Sequence, residues 1–159
     1  MTHNKAERTL VLIKPDGLQR GLIGEILHRF ERKGLKIVAL KLMELNDTIL
    51  DAHYAAHREK PFFARLKSFM MQAPVVAMVL EGIEAVSVVR VLTGETLGRK
   101  AAPGTIRGDF SISQGATIVH ASDSAESSKR EIDIFFKEDE IIDYVHGNFN
   151  FVYAEEERE

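Results

Sequence analysis

Apolar positions gather in four short runs, and between them they recur at helical spacing. The first run, Thr9 to Lys14 (TLVLIK), is β-favouring, and Pro15, Asp16 and Gly17 follow with turn chemistry, so a strand is predicted to end at Lys14. Ile23, Ile26, Leu27 and Phe30 then share one helical face, with Gly34 placed to terminate the helix. Leu35 to Leu45 (LKIVALKLMEL) returns to a strand-like mixture. Asn46 or Asp47 can cap a helix running through His57, and a second helix is predicted from Pro61 to Gln72. Val75 to Leu80 (VVAMVL) predicts a buried third strand, and Ile83 to Thr93 a helix closed by Gly94.

From Glu95 to Gln114 no period is sustained, which predicts a long loop retained for function. Ala116 to His120 reads as a fourth strand. Asp123 with Glu126 reads as a capping pair opening a helix from Ala125 to Phe136. The acidic tail AEEERE, from 154 to 159, is expected to fray. No repeat and no linker divides the chain, so residues 1 to 159 are expected to form one α/β domain with helices packed on one sheet. Whether that sheet is parallel or antiparallel does not follow from the pattern.

Composition narrows the functional classes. The 159 residues suffice for a single core, and 45% hydrophobic with 28% charged residues describes an ordinary globular chain. A net charge of -3, with basic residues scattered among acids, leaves no electrostatic footprint for DNA or RNA. No stretch is long and apolar enough to span a bilayer, the start lacks the apolar core of a secretory signal, and there is no cysteine. Cytoplasm is the expected compartment, without a disulfide framework or thiolate metal site.

The predicted elements place several phosphate-competent groups at their ends. Lys14 ends a strand, Arg90 lies near a helix C-terminus, and Thr96, Thr105 and Arg107 lie in the long loop. Donors so placed can oppose the charge on a transferring phosphoryl group. Each alone has a plain alternative as a solvated or loop-stabilising cation. The segment PGTIRGD adds weight, because its glycines let backbone and guanidinium approach a ligand closely.

Among six histidines, His53 and His57 stand one turn apart and read as helix surface more readily than as metal ligands, since no third ligand is near in sequence. His3 lies in the first few residues and His28 on a helix flank. His120 differs, sitting where a strand meets a helix start beside small Ala121 and Ser122. Its imidazole, largely neutral near pH 7, can attack phosphorus. Glu131, two turns into the next helix, could reach back to orient the ring. Neither G-x-x-x-x-G-K-[ST] nor G-x-G-x-x-G occurs, so a nucleotide would have to be held by other means.

KPDG at 14 to 17, QRGLIGEI at 19 to 26, HYAAHREKPFF at 53 to 63, PVVAMVLEG at 74 to 82, PGTIRGDF at 103 to 110 and HASDS at 120 to 124 resemble, in order, the nucleoside diphosphate kinases. The resemblance implies a ferredoxin-like α+β sandwich on a four-stranded antiparallel sheet. It implies ping-pong transfer of the γ-phosphate of a nucleoside triphosphate, typically ATP, to a nucleoside diphosphate with Mg²⁺. His120 would be the nucleophile, with Glu131, Ser122 and Lys14 beside it. Lys14, Tyr54, Arg90, Thr96, Arg107 and Thr117 would surround phosphates and sugar, and Phe62 would stack on the base. Mg²⁺ would be held through the nucleotide's phosphates, with no resident protein ligands.

The family also implies a homo-oligomer, a hexamer favoured over a tetramer, with nucleotides as partners; the charge balance and the lack of a long apolar stretch lead to the expectation of no specific nucleic acid and no membrane. Two departures stand out: Thr117 and Ala116 occupy places usually held by asparagine and arginine, and Leu97 and Gly98 replace an Asn-Pro pair. They motivate the alternative of a catalytically weak nucleotide-binding scaffold of the same fold.

Overall fold

The computed structural model describes residues 5 to 158; His3 and Glu159 lie outside the described residues. Four strands form one sheet: β1 (Ala6–Ile13), β2 (Lys36–Met43), β3 (Val75–Ile83) and β4 (Val119–Ala121). Their order is β2-β3-β1-β4, and every pair is antiparallel, with Leu12 opposite His120 and Leu10 opposite Val79. This is the ferredoxin-like sheet that the resemblance implied.

The central strands β1 and β3 are apolar at successive positions because both faces are covered. Val11 and Ile13 point into a core with Ile26 and Phe30 of α2 (Ile23–Lys33), Val89 of α5 (Ala85–Thr93) and Ile106 of α6 (Ile106–Phe110). Leu10 and Leu12 point the other way, against Leu50 of α3 (Asp47–His53), Met70 of α4 (Phe63–Met70), and Ile132 and Phe135 of α7 (Ala125–Phe135). Each such side chain contributes roughly 1.5–3 kcal/mol by leaving water, and the two cores fix the heights of the helices around the C-terminal end of β1.

Several boundaries differ from the sequence expectation for identifiable reasons. Pro15 opens a short helix, α1 (Pro15–Gln19), where its fixed φ suits the first turn. Gly17 is needed there, because a Cβ would meet Ile13 Cγ2 at 2.7 Å and the Ile118 carbonyl oxygen at 3.1 Å. Asn46 caps α3 by accepting from the Ile49 amide, but α3 ends at His53 and a 3-10 turn carries the chain through His57. Within the predicted loop, Thr105 caps α6 and Gly98–Lys100 form a 3-10 turn, both too short to leave a periodic signature.

The cap of α7 is Ser124, which accepts from Ser127 N, and not Asp123, which stands one residue too early. Beyond α7 the chain returns along the sheet edge. Ile142 N donates to Val38 O at the β2 bulge, and Tyr144 Oη donates to Ile37 O. A last one-turn helix (Phe149–Val152) follows, and Glu155–Glu157 form a 3-10 turn. Among the described residues no helix is long and apolar enough to cross a membrane.

Candidate active site

The site lies where β1 ends and β4 begins, with the starts of α1 and α4 and the middle of α7 around it. Its least ordinary feature is the backbone before His120. Ile118, β-branched and fully buried, has a φ of 66°, a conformation that such a residue adopts only when its surroundings dictate it. The surroundings are explicit. Lys14 N donates to Ile118 O, Asp16 Oδ2 accepts from Ile118 N at 2.9 Å, and Val119 N closes a tight turn onto Thr117 O.

Arg107 grips the same turn from the other side. Its guanidinium donates to Thr117 O at 3.2 Å, Val119 O at 2.7 Å and Gly94 O at 2.7 Å. Gly94 closes α5 with a φ of 79°, and a Cβ there would run into Thr105. The predicted strand from Ala116 therefore begins only at Val119, after the turn. Burial first, and the nearby Arg90 charge second, lower the Arg107 guanidinium to about 10. Three backbone acceptors make Arg107 chiefly a clamp, with the second hydrogens of Nη1 and Nη2 left over for a ligand.

Held by this turn, His120 extends from β4 with its side chain 23% exposed. Nε2 lies 3.0 Å from Glu131 Oε2, and Ser122 Oγ donates to the same oxygen at 2.6 Å. Burial works to raise the Glu131 carboxyl, but the hydrogen bond and charge of His120, with the Ser122 hydroxyl, hold it below the usual range. Facing a carboxylate, Nε2 is the nitrogen that carries the proton. Nδ1 then keeps its lone pair and has no partner among the described residues.

At the Thr117 turn that precedes His120 opens a cleft of about 760 Å³ lined by Lys14, Phe62, Phe69, Thr96 and Thr117 among others; His120 itself is not part of that lining. Lys14 Nζ donates to Thr117 Oγ1 at 3.0 Å and Gly115 O at 3.2 Å, and lies 5.0 Å from the centre of the Phe69 ring. Burial, reinforced by Arg107 and opposed by Asp16, lowers its ammonium to about 8. Thr117 is thus a partner of Lys14, so the residue that replaces the usual asparagine still holds a place at the cleft. Phe62 stands at the rim, 39% exposed. Arg90 does not line this cleft. It borders an adjoining open depression with Asp123 and acts on the site through its charge.

His53 corrects the expectation of a surface residue. Leu50 and His53, at i and i+3 of α3, both face inward, and the His53 ring meets His120 edge-on with centroids 4.5 Å apart. It also packs against Tyr54 at 4.4 Å and Phe135 at 5.1 Å. Burial foremost, then the neighbouring His120, lower it to about 3, so its ring is neutral. Tyr54, packed against His53, has its hydroxyl pushed up by burial and by Glu131. Sequence reasoning also missed Asp16 and Phe69. The inward spacing of Leu50 and His53 was the signal available for His53.

Comparison with known proteins identifies the family that the chain resembles in sequence and fold. The family model described as nucleoside diphosphate kinase matches residues 7–141. A nucleoside diphosphate kinase of Staphylothermus marinus is 61% identical over 138 residues, covering 87% of this chain and 98% of the relative. One from Archaeoglobus fulgidus is 53% identical over 149 residues, covering 94% and 99%. A solved halophilic nucleoside diphosphate kinase from Halobacterium salinarum in complex with CDP superposes with a TM-score of 0.91 at 47% identity, covering 93% of this chain and 99% of that one.

Proposed function

The chain belongs to the nucleoside diphosphate kinase family, and we propose that it moves the γ-phosphate of a nucleoside triphosphate to a nucleoside diphosphate through Nδ1 of His120. The observation that carries this reading is the Ser122–Glu131–His120 chain of hydrogen bonds. It commits the proton to Nε2 and leaves Nδ1 as the nucleophile. In the first half-reaction the Nδ1 lone pair attacks the γ-phosphorus, a nitrogen–phosphorus bond forms, and the bond to the bridging oxygen breaks. The departing diphosphate takes that electron pair. Glu131 stabilises the imidazolium that results, and no proton need leave the ring.

In the second half-reaction a terminal oxygen of another diphosphate attacks the same phosphorus, and the electron pair returns to Nδ1. That oxygen is already anionic, so no base is required. Lys14, at the cleft wall, supplies positive charge where phosphoryl charge spreads, while Arg90 acts from the margin and Arg107 through its two remaining hydrogens. Phe62 offers a stacking face without base-edge contacts, which suits several bases. Thr96 and Thr117 offer hydroxyls to phosphate or sugar.

The residues that line the cleft are cationic, aromatic or neutral, and the His53, His120 and Glu131 group is too rich in nitrogen for Mg²⁺, which takes oxygen ligands. Mg²⁺ therefore enters as part of the substrate, on the nucleotide's phosphate oxygens. The intact hydrogen-bond chain favours the active enzyme over the weak scaffold. We read the chain as one cytoplasmic domain, and the part of edge strand β2 beyond the Ile142–Val38 bond, with Leu40 and Leu42 exposed, supports assembly of copies, a hexamer before a tetramer.

Initial rates with two nucleotides test the reaction. Parallel double-reciprocal lines, lost in His120→Ala, are expected; intersecting lines would refute the covalent route. Light scattering reporting a monomer would refute the assembly.

A further inference from the structure

The described residues contain one group of side chains able to hold a metal ion, His53, His120 and Glu131, whose ligand atoms lie within 4.8 Å of one another. Nε2 of His120 is 3.0 Å from Oε2 of Glu131, and Nδ1 of His53 is 3.9 Å from Oε1. Zinc–nitrogen bonds of about 2.0–2.1 Å place neighbouring ligands of a tetrahedral site about 3.3 Å apart. A movement of the His53 ring by up to roughly 1.5 Å would close the set to that spacing.

An independent observation concerns His53 itself. Its side chain is fully buried, and neither ring nitrogen has a hydrogen-bond partner. A neutral imidazole has one donor and one acceptor, and leaving either unmade costs about 1–3 kcal/mol. Such a ring calls for an explanation that packing alone does not give, and an ion is one of the standard answers.

We infer that His53, His120 and Glu131 form an inhibitory site for a nitrogen-preferring divalent ion such as Zn²⁺. Two imidazoles and one carboxylate are the three-ligand set of many zinc sites, with the fourth position open to water, and they discriminate against Mg²⁺. Ser122, which donates to Glu131 Oε2, orients the carboxylate as an outer partner would. The ion enters past His120, the part of the group that reaches the surface. Arg130 Nη2, 3.9 Å from Glu131 Oε1, opposes the ion's charge, but that side chain is 53% exposed and free to turn to solvent.

Inhibition follows from the tautomer. To bind metal through Nε2, His120 must carry its proton on Nδ1, and the lone pair that attacks phosphorus is gone. This consequence rests on His120 being the nucleophile; the binding does not.

The test is titration of nucleotide-free protein with Co²⁺, followed by its visible d–d absorption. One tetrahedral ion per chain is expected, displaced by Zn²⁺ and not by Mg²⁺, and weakened more than about 100-fold in His53→Phe, beyond the loss typical of a supporting group. In wild type labelled with ¹⁵N-histidine, Zn²⁺ should shift the ring nitrogens of His53 and His120 together, which needs no variant to fold. At fixed Mg²⁺, Zn²⁺ should inhibit wild type at least tenfold more than His53→Phe, each relative to its own zinc-free rate. Absence of the tetrahedral spectrum, its survival in folded His53→Phe, or shifts confined to other histidines would overturn the site. Binding at both rings without inhibition would instead overturn the inhibitory role and count against the nucleophile assignment.

Discussion

Glu131→Gln isolates the electrostatic half of the proposed chemistry. The substitution keeps size and an acceptor oxygen but removes the charge that faces Nε2 at 3.0 Å and Ser122 Oγ at 2.6 Å. A hydrogen bond to a charged group contributes about 1.5–3 kcal/mol, and here that stabilisation grows as the imidazolium forms. Each 1.36 kcal/mol of barrier is about tenfold in rate, so phosphorylation should slow by ~10- to 150-fold. Glu131 does not line the cleft, so the KM for nucleotide should stay nearly constant. The glutamine amide can also donate to Nε2 and so favour the unreactive tautomer, which pushes the loss toward the upper end. Rapid-quench measurement of phosphoenzyme formation in a single turnover reads the step directly. A rate within about twofold of wild type, or a loss confined to KM, would show that the carboxylate neither sets the tautomer nor stabilises the charged ring.

Four further outcomes follow from the same geometry. Because the Lys14 pKa in the fold is about 8 against 10.5 for a free lysine, the unfolded chain holds the proton between these values, and stability should rise with pH across that window; denaturant midpoints should show the rise in wild type and not in Lys14→Met. In the free enzyme, kcat/KM should fall as pH rises through about 8, when the cleft loses that charge. Phe62→Ala should raise KM for purine and pyrimidine nucleotides alike, nearer fivefold than a hundredfold because the ring stays partly exposed, and a change for one base class only would contradict stacking. Arg107→Lys keeps the charge but loses the fork that reaches three carbonyls, and a thermal scan should show Tm lowered by roughly 5–15 °C.

How far such features can be read in advance depends on whether their causes are local. The central strands and α2 were legible because apolar runs, helical spacing and Gly34 act within a few residues. His120, Ser122 and Glu131 were legible as a cluster because a strand end and the helix after it bring them together. The start of β4 was not, since the positive φ at Ile118 is imposed by Lys14 and Asp16, about a hundred residues away in sequence. The same holds for Arg107, whose turn-clamping role arises only once α6 has docked beside β4. His53 was misjudged because a histidine on a short helix is ordinarily exposed, and only the packing of α7 against α3 buries it. Ser124 displaced Asp123 as the cap by a one-residue offset that composition does not resolve.

The most direct test of the account is the chemical identity of the phosphorylated residue. The enzyme would be labelled from a nucleoside triphosphate with Mg²⁺, and the acid-labile product assigned by ³¹P and ¹⁵N NMR. A single phosphoryl group on Nδ1 of His120, released on adding a nucleoside diphosphate, is the expected result. Phosphate on Nε2, on another residue, or on no residue of a folded and catalytically active protein would contradict it.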